Sequence, residues 1–214
     1  MSAQPTSARL IISVTLAGLL AGLLLAATYR VTQPLIEANQ QKATETAIFQ
    51  VLPGTDHFES FWAHDGILEP IENPLSIRAD QQVVYLGRDG QNQMTGFAIP
   101  AAGPGFQDTI KVLYGFDPNK REIIGFQVLD SRETPGLGDK ILKDPAFLGS
   151  FKHLAVEPVI LLQTKGPPQH NNEVDAISGA TISSRAIVNL LNKNLNPLLD
   201  LLSQKAQAEG GPHE

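Results

Sequence analysis

Leu10 to Tyr29 form a 20-residue stretch without a charge, flanked by Arg9 and Arg30. Twenty helical residues span about 30 Å, enough for the hydrocarbon core of a bilayer. The run is long for a signal-peptide core and no small-x-small cleavage site follows it, which predicts an uncleaved anchor. From Val31 to Val51 the apolar positions thin to Leu35, Ile36, Ala43, Ala47 and Ile48, the pattern of a polar juxtamembrane helix. Leu52-Pro53-Gly54 ends it. Residues 55–80 show no clear period and hold several turn formers, so loops and short elements are expected. Beyond them the period falls to two. Val83 to Leu86 and Met94 to Ile99 flank Gly87-Arg88-Asp89-Gly90. Thr109 to Phe116 and Glu122 to Leu129 flank Asp117-Pro118-Asn119-Lys120. Ile110, Val112 and Tyr114, and Ile124, Phe126 and Val128, alternate as half-buried antiparallel strands do. Val159 to Gln163 predicts a further strand and Lys165 to Glu173 a loop. Ile182 to Asn196 predicts a helix ended near Pro197, with a second apolar run at Leu198 to Leu202.

These elements predict an α+β fold: one N-terminal transmembrane helix, then a domain with an antiparallel sheet and flanking helices. The expected divisions are a short cytoplasmic N-terminus (1–9), the anchor (10–29), a juxtamembrane helix (30–54), the globular domain (55–203) and a flexible tail (204–214).

Composition narrows the function. There are no cysteines in the 214 residues, which excludes disulfides and cysteine-ligated iron–sulfur clusters within the chain. Residues 1–30 hold two arginines and no acid; the rest carries 14 cationic against 22 acidic side chains, a net charge of −8. That balance argues against nucleic acid and against adhesion to an anionic lipid surface. The five histidines lack metal-ligand spacing, so no metal site is expected. Phe61 and Trp62 read as core or interface residues. No G-x-S-x-G, G-x-x-x-x-G-K-[ST] or G-x-G-x-x-G run is present.

The chemistry concentrates in two segments. Asp175-Ala176-Ile177-Ser178-Gly179-Ala180-Thr181 places a threonine hydroxyl on a small-residue turn at the mouth of a helix. Gly179 and Ala180 allow a bulky group close to the backbone. A helix start offers unpaired N–H groups and partial positive charge to a phosphate. The same residues also read as an ordinary cap, with Asp175 or Ser178 opening the helix and Thr181 in its first turn. The second segment, Glu133-Thr134-Pro135-Gly136-Leu137-Gly138-Asp139-Lys140, is a tight loop directly after the second hairpin. Its glycines can turn N–H groups toward a ligand, and Glu133, Thr134 and Lys140 supply polar side chains. An ordinary strand-to-helix turn has the same composition.

Both motifs, in this order, resemble those of the G subunit of Rnf electron-transport complexes, whose FMN-binding domain is related to the C subunit of the sodium-pumping NADH:quinone oxidoreductase. Val31-Thr32-Gln33-Pro34-Leu35-Ile36 and Val51-Leu52-Pro53-Gly54 resemble that family's entry segment, so the likeness covers about residues 10–195. Gly105-Phe106-Gln107-Asp108 departs from it, with Asp108 near a customary glycine. The resemblance implies FMN joined covalently through its phosphate to Thr181, a phosphoester on threonine. The flavin transferase that installs it would read Asp175, Ser178, Gly179 and Ala180. The cofactor would further engage Glu133, Thr134, Gly136, Leu137, Gly138 and Lys140. Thr181 would attack the flavin-side phosphorus of FAD and expel AMP. The transferase would supply the base, since a threonine hydroxyl is a weak nucleophile until deprotonated.

As a whole, the resemblance implies an electron-carrying subunit of an ion-translocating, ferredoxin/NAD-linked oxidoreductase, not catalytic alone and with no catalytic residue of its own. Its partners would be the other membrane and peripheral subunits. It would sit as a single-pass protein in the bacterial inner (cytoplasmic) membrane, its soluble domain extracytoplasmic. Charge does not set that orientation, because Arg9 and the amine precede the span while Arg30 and Lys42 follow it. Two other readings compete: a stand-alone membrane-anchored FMN reductase or extracellular electron carrier, and a non-redox assembly or binding module whose threonine motif is only a capped turn.

Overall fold

The computed structural model describes residues 7–71 and 81–209. The chain divides into two compact units, residues 1–43 and 44–214. Helix α1 (Ser7–Val51) supplies the described part of the first unit. Among the described residues it is the one helix long and apolar enough to cross a membrane, and its apolar window is not buried. The expected membrane and juxtamembrane helices are therefore continuous. No glycine or proline separates Tyr29 from Gln33. Pro34, inside the helix, removes one backbone donor without ending it.

In the second unit, seven strands form one antiparallel sheet: β1 (His57–His64), β2 (Ile67–Pro70), β3 (Gln82–Arg88), β4 (Met94–Pro104), β5 (Thr109–Asp117), β6 (Glu122–Asp130) and β7 (Leu154–Ala155). Their order is β2-β1-β3-β4-β5-β6-β7. Both expected hairpins are present. The hairpin β1–β2 falls where only loops and short elements were expected. Its turn, Asp65-Gly66, has φ of 48° and 78°, the left-handed pair that a two-residue hairpin requires. That dipeptide was the available signal. Residues 72–80, also in that stretch, lie outside the described residues.

One sheet face carries the main core. Phe97, Ile99, Ile110, Val112, Tyr114 and Phe116 pack there against Ile187, Val188, Leu191 and Leu195 of helix α3 (Thr181–Leu195) and Leu202 of helix α4 (Leu199–Glu209). A short helix α2 (Pro145–Gly149) adds Phe147, whose ring meets Phe151 edge to face at 5.1 Å. A two-stranded parallel pair, β8 (Leu161–Gln163) and β9 (Glu173–Asp175), leads into α3.

The expected face of Ile124 is corrected. The β5–β6 register shifts between Gly115 and Phe116, so that Gly115 pairs Gly125 and Phe116 pairs Ile123. The bulge leaves Ile124 without an opposite residue and reverses the faces beyond it. Ile123 joins Phe126 and Val128 in the main core, and Ile124 packs in the cluster on the opposite face.

That opposite cluster explains where the second unit begins. Ala47, Ile48, Val51 and Leu52 pack on Ala98 and Leu113, so the compact unit starts at Thr44 and not at residue 55. Gly115 and Gly125 make room for it. A Cβ on either would run into the Val51 carbonyl oxygen, and one on Gly125 would also lie 2.6 Å from Val51 Cα. At the other end, α4 continues through the expected tail to Glu209. Ala206 is buried, and Glu209 bonds Arg88 Nη2 at 2.9 Å while Arg88 Nε bonds Glu59 at 2.6 Å. Residues 210–214 lie outside the described residues.

Candidate functional site

Helix α3 begins at Thr181, with Ala180 as its N-cap and no side-chain cap hydrogen bond. The capped-turn reading thus fails on geometry. Asp175 closes β9, paired with Gln163, and Ser178 is an exposed turn residue. The turn is held from inside instead. Ser184 Oγ donates to the Ala180 carbonyl at 3.0 Å and accepts from Ile177 N–H at 3.2 Å. Gly179 sits at φ +81°, and its open surroundings begin only at Leu137 Cδ2, 3.7 Å from a Cβ position, and Lys140 Nζ, 3.8 Å. Open space beside Gly179 thus adjoins the first turn of α3, whose leading N–H groups lack intrahelical acceptors, the kind of helix start that suits an anion.

The second motif closes over this helix start. Lys140 Nζ donates to the Ser178 carbonyl at 3.2 Å. Gly136, at φ +78°, donates its N–H to Asp139 Oδ1 at 2.7 Å. Lys143 bonds Asp139 at 2.7 Å, and that bond leads in holding the Asp139 carboxyl below its usual range. Thr134 Oγ1 donates to Gln107 Oε1 at 2.9 Å, joining the loop to Gly105–Asp108. Asp108, the departure from the family pattern, accepts Gly105 N–H on its carbonyl at 2.8 Å. Its side chain accepts from Thr109 N–H at 2.7 Å.

Glu133 is placed differently from the ligand-facing role expected of it. The residue is 5% exposed. Oε1 accepts the N–H groups of Phe106 (2.9 Å) and Gln107 (3.0 Å), and Oε2 accepts Ser183 Oγ–H at 2.5 Å. Both carboxylate oxygens are thus engaged within the protein. Burial pushes this carboxyl up, but the bonds from Ser183 and from the backbone of Gln107 and Phe106 prevail and hold it below its usual value. Phe106, Leu137 and Ile182, in contrast, are exposed apolar residues, one on each segment that meets here. Gly136 and Gly138 shape the loop, and only Gly138 of the two is buried.

Sequence reasoning missed Ser183, whose hydroxyl joins α3 to Glu133, and Arg185, one turn beyond Thr181. Arg185 and Ile182 also border a recess of about 760 Å³ against Pro104 of β4 and the Asp65-Gly66 turn. Spacing alone signals Arg185: a residue at i+4 shares the face of residue i and leans toward it. Trp62 stacks on His64 with ring centroids 3.7 Å apart, and Phe61 is a core residue. Among the described residues there is no group of potential metal ligands.

The half-buried threonine at the uncapped start of α3 and the glycine-rich loop beside it both fall in a segment with the sequence of a known domain. Residues 105–196 match the family model described as FMN-binding domain. The chain is 32% identical over 192 residues to the G subunit of the ion-translocating oxidoreductase complex of Methanosarcina acetivorans, covering 90% of this chain and 94% of that protein. It is 30% identical over 177 residues to the G subunit of the Na(+)-translocating ferredoxin:NAD(+) oxidoreductase complex of Acetobacterium woodii, covering 80% and 81%. The crystal structure of NqrC from Shewanella oneidensis superposes with a TM-score of 0.59 at 20% identity, over 74% of this chain and 88% of that one. The chain belongs to the G-subunit family of ion-translocating oxidoreductase complexes.

Proposed function

We propose that this chain is the membrane-anchored flavoprotein subunit of an ion-translocating, ferredoxin/NAD-linked complex, relaying electrons through FMN esterified to Thr181. The observation that carries the reading is the start of α3: a threonine at its first position, no side-chain cap, and a glycine turn open beside it. The leading N–H groups and the positive end of the helix suit a phosphate. Lys140, bonded to the Ser178 carbonyl, and Arg185, one turn into α3, add positive charge, and neither forms an ion pair among the described residues. Phe106, Leu137 and Ile182 offer apolar surface to a flavin ring. FMN, when bound, would supply the electron transfer; Thr181 would hold its phosphate, and Phe106, Leu137 and Ile182 would offer apolar contact.

In attachment, the Thr181 oxygen forms the new bond to the flavin-side phosphorus of FAD. The pyrophosphate bond breaks, AMP leaves, and the hydroxyl proton passes to a base on the flavin transferase. Asp175, Ser178, Gly179 and Ala180 form the strip that enzyme reads; all but Ala180 are solvent-facing. The partners are the other subunits of the complex. Residues 10–29 span the cytoplasmic membrane once, 1–9 lie inside, and the FMN-binding domain outside, where an ester bond keeps the flavin from being lost.

The test is co-expression of the full chain with a flavin transferase and export machinery, read by intact mass and in-gel flavin fluorescence, beside Thr181→Ala. Denaturation-resistant flavin on the wild type and none on the variant is the expected result. A colourless wild type, with the transferase shown active on another acceptor, would return the motif to a bare helix start and favour the binding-module reading.

A further inference from the structure

Glu133 is a buried carboxylate for which no ion pair is found among the described residues. An anion without a cation is costly to bury, and an apolar side chain would fill the same junction without that cost. What the carboxylate does accomplish is visible in its partners. Two donors come from the loop after β4, at Phe106 and Gln107; the third comes from Ser183, in the first turn of α3. These partners are 26 to 50 residues away in the chain. Packing around the carboxylate is equally tight. A Cβ on Gly138 would lie 2.7 Å from Oε2, and one on Gly105 would collide with Oε1. Each tethered segment presents one exposed apolar side chain: Phe106, Leu137 and Ile182.

We infer that Glu133 is a positioning residue, a central tether that fixes the spacing of Phe106, Leu137 and Ile182 around Thr181 without itself touching the cofactor. The inference rests on the flavin reading for its purpose, though not for its geometry. Charge-assisted bonds are about twice as strong as neutral ones, so one ionised group can hold three donors where a neutral one holds them loosely. Ser183 shares the task. Its hydroxyl turns inward to Oε2 and so joins the first turn of α3 to the same carboxylate.

The test compares full-length wild type, Glu133→Ala, Glu133→Gln and Ser183→Ala in detergent. The first readout needs no flavin: amide hydrogen exchange at Phe106 and Gln107, referenced to core amides of β5. Glu133→Ala should lower protection at both amides at least tenfold relative to β5. Glu133→Gln, which keeps one acceptor oxygen but not the charge, should restore only part of it. Ser183→Ala should lower it selectively by a smaller factor, and it tests the tether even where Glu133→Ala does not fold. The second readout is the visible circular dichroism of the attached flavin, which should weaken in Glu133→Ala and recover in part in Glu133→Gln. Protection that is unchanged, or lost equally in β5, in both Glu133→Ala and Ser183→Ala would overturn the tether. An intact exchange pattern with unaltered flavin dichroism across the series would overturn the positioning role. A wild type that takes up no flavin would sink the flavin reading yet leave the exchange result standing.

Discussion

At the scale of single residues, the exposed groups at the start of α3 are distinct from the buried groups that hold their segments together. The place of Thr181 at the start of a helix was readable from its neighbours, because the small residues before it and the apolar helix after it are local in sequence. Glu133 was readable only as a member of a motif. Its partners are backbone amides and a serine 50 residues on, and a backbone amide has no sequence signature. The glycines report the same closeness. Gly138 has no left-handed backbone to justify it, but a Cβ there would meet Glu133 Oε2 at 2.7 Å and its Cβ at 2.8 Å. The obstacle is a buried side chain held by three bonds, so it cannot swing aside. Gly138→Ala should therefore destabilise the domain by about 1–3 kcal/mol, the usual range for overpacking, read as a lower midpoint in denaturant unfolding. An unchanged midpoint would mean that the Glu133 junction is looser than its hydrogen bonds imply.

Among elements, regular alternation was legible and its interruptions were not. The hairpins β3–β4 and β5–β6 followed from a period of two and from turn residues. The faces of β6 did not, since one unpaired residue at Ile124 reverses them without altering composition. The end of α1 at Val51 was legible from Leu52-Pro53-Gly54, but its docking on the sheet was not. Its last turn is held by contacts with the sheet, which no local pattern encodes. Those contacts rest on the facing pair Gly115 and Gly125, over which the Val51 carbonyl sits. Here the neighbour is backbone, so a side chain can be accommodated only by lifting the helix end. Gly125→Ala should expose Ile48 and Leu52, which are now fully buried. Losing the contacts of two such side chains costs on the order of 3 kcal/mol. Limited proteolysis should then cut between Thr44 and Thr55 while the rest of the sheet survives. Resistance equal to wild type in that segment would show that the carbonyl contact tolerates a methyl group.

Across the whole molecule, two electrostatic effects oppose each other as pH falls. The globular part carries excess negative charge, and protonation relieves its self-repulsion. Against this, the carboxyls of Glu133, Glu209, Asp139 and Glu173 are all held below their usual values by bonds in the folded state. A carboxyl with a depressed folded pKa stabilises the fold fully above its unfolded value, about 4.3 for glutamate. That contribution is lost as pH falls through the folded value. Surface repulsion is screened over about 8 Å at physiological salt, whereas the bonds to buried Glu133 are not exposed to the ions. The second effect should therefore prevail at physiological salt. The melting temperature should change little between about pH 8 and 5 and fall steeply below about pH 4. Glu133→Gln isolates one share of that decline, because its amide does not titrate. The variant should melt below wild type at neutral pH, and the gap should close as the wild-type carboxyl takes up its proton. Thermal melts of the two proteins at about pH 7 and about pH 3, either side of the glutamate range, decide the matter. A gap of equal size at both would show that Glu133 holds its loops by shape alone, with no share for its charge.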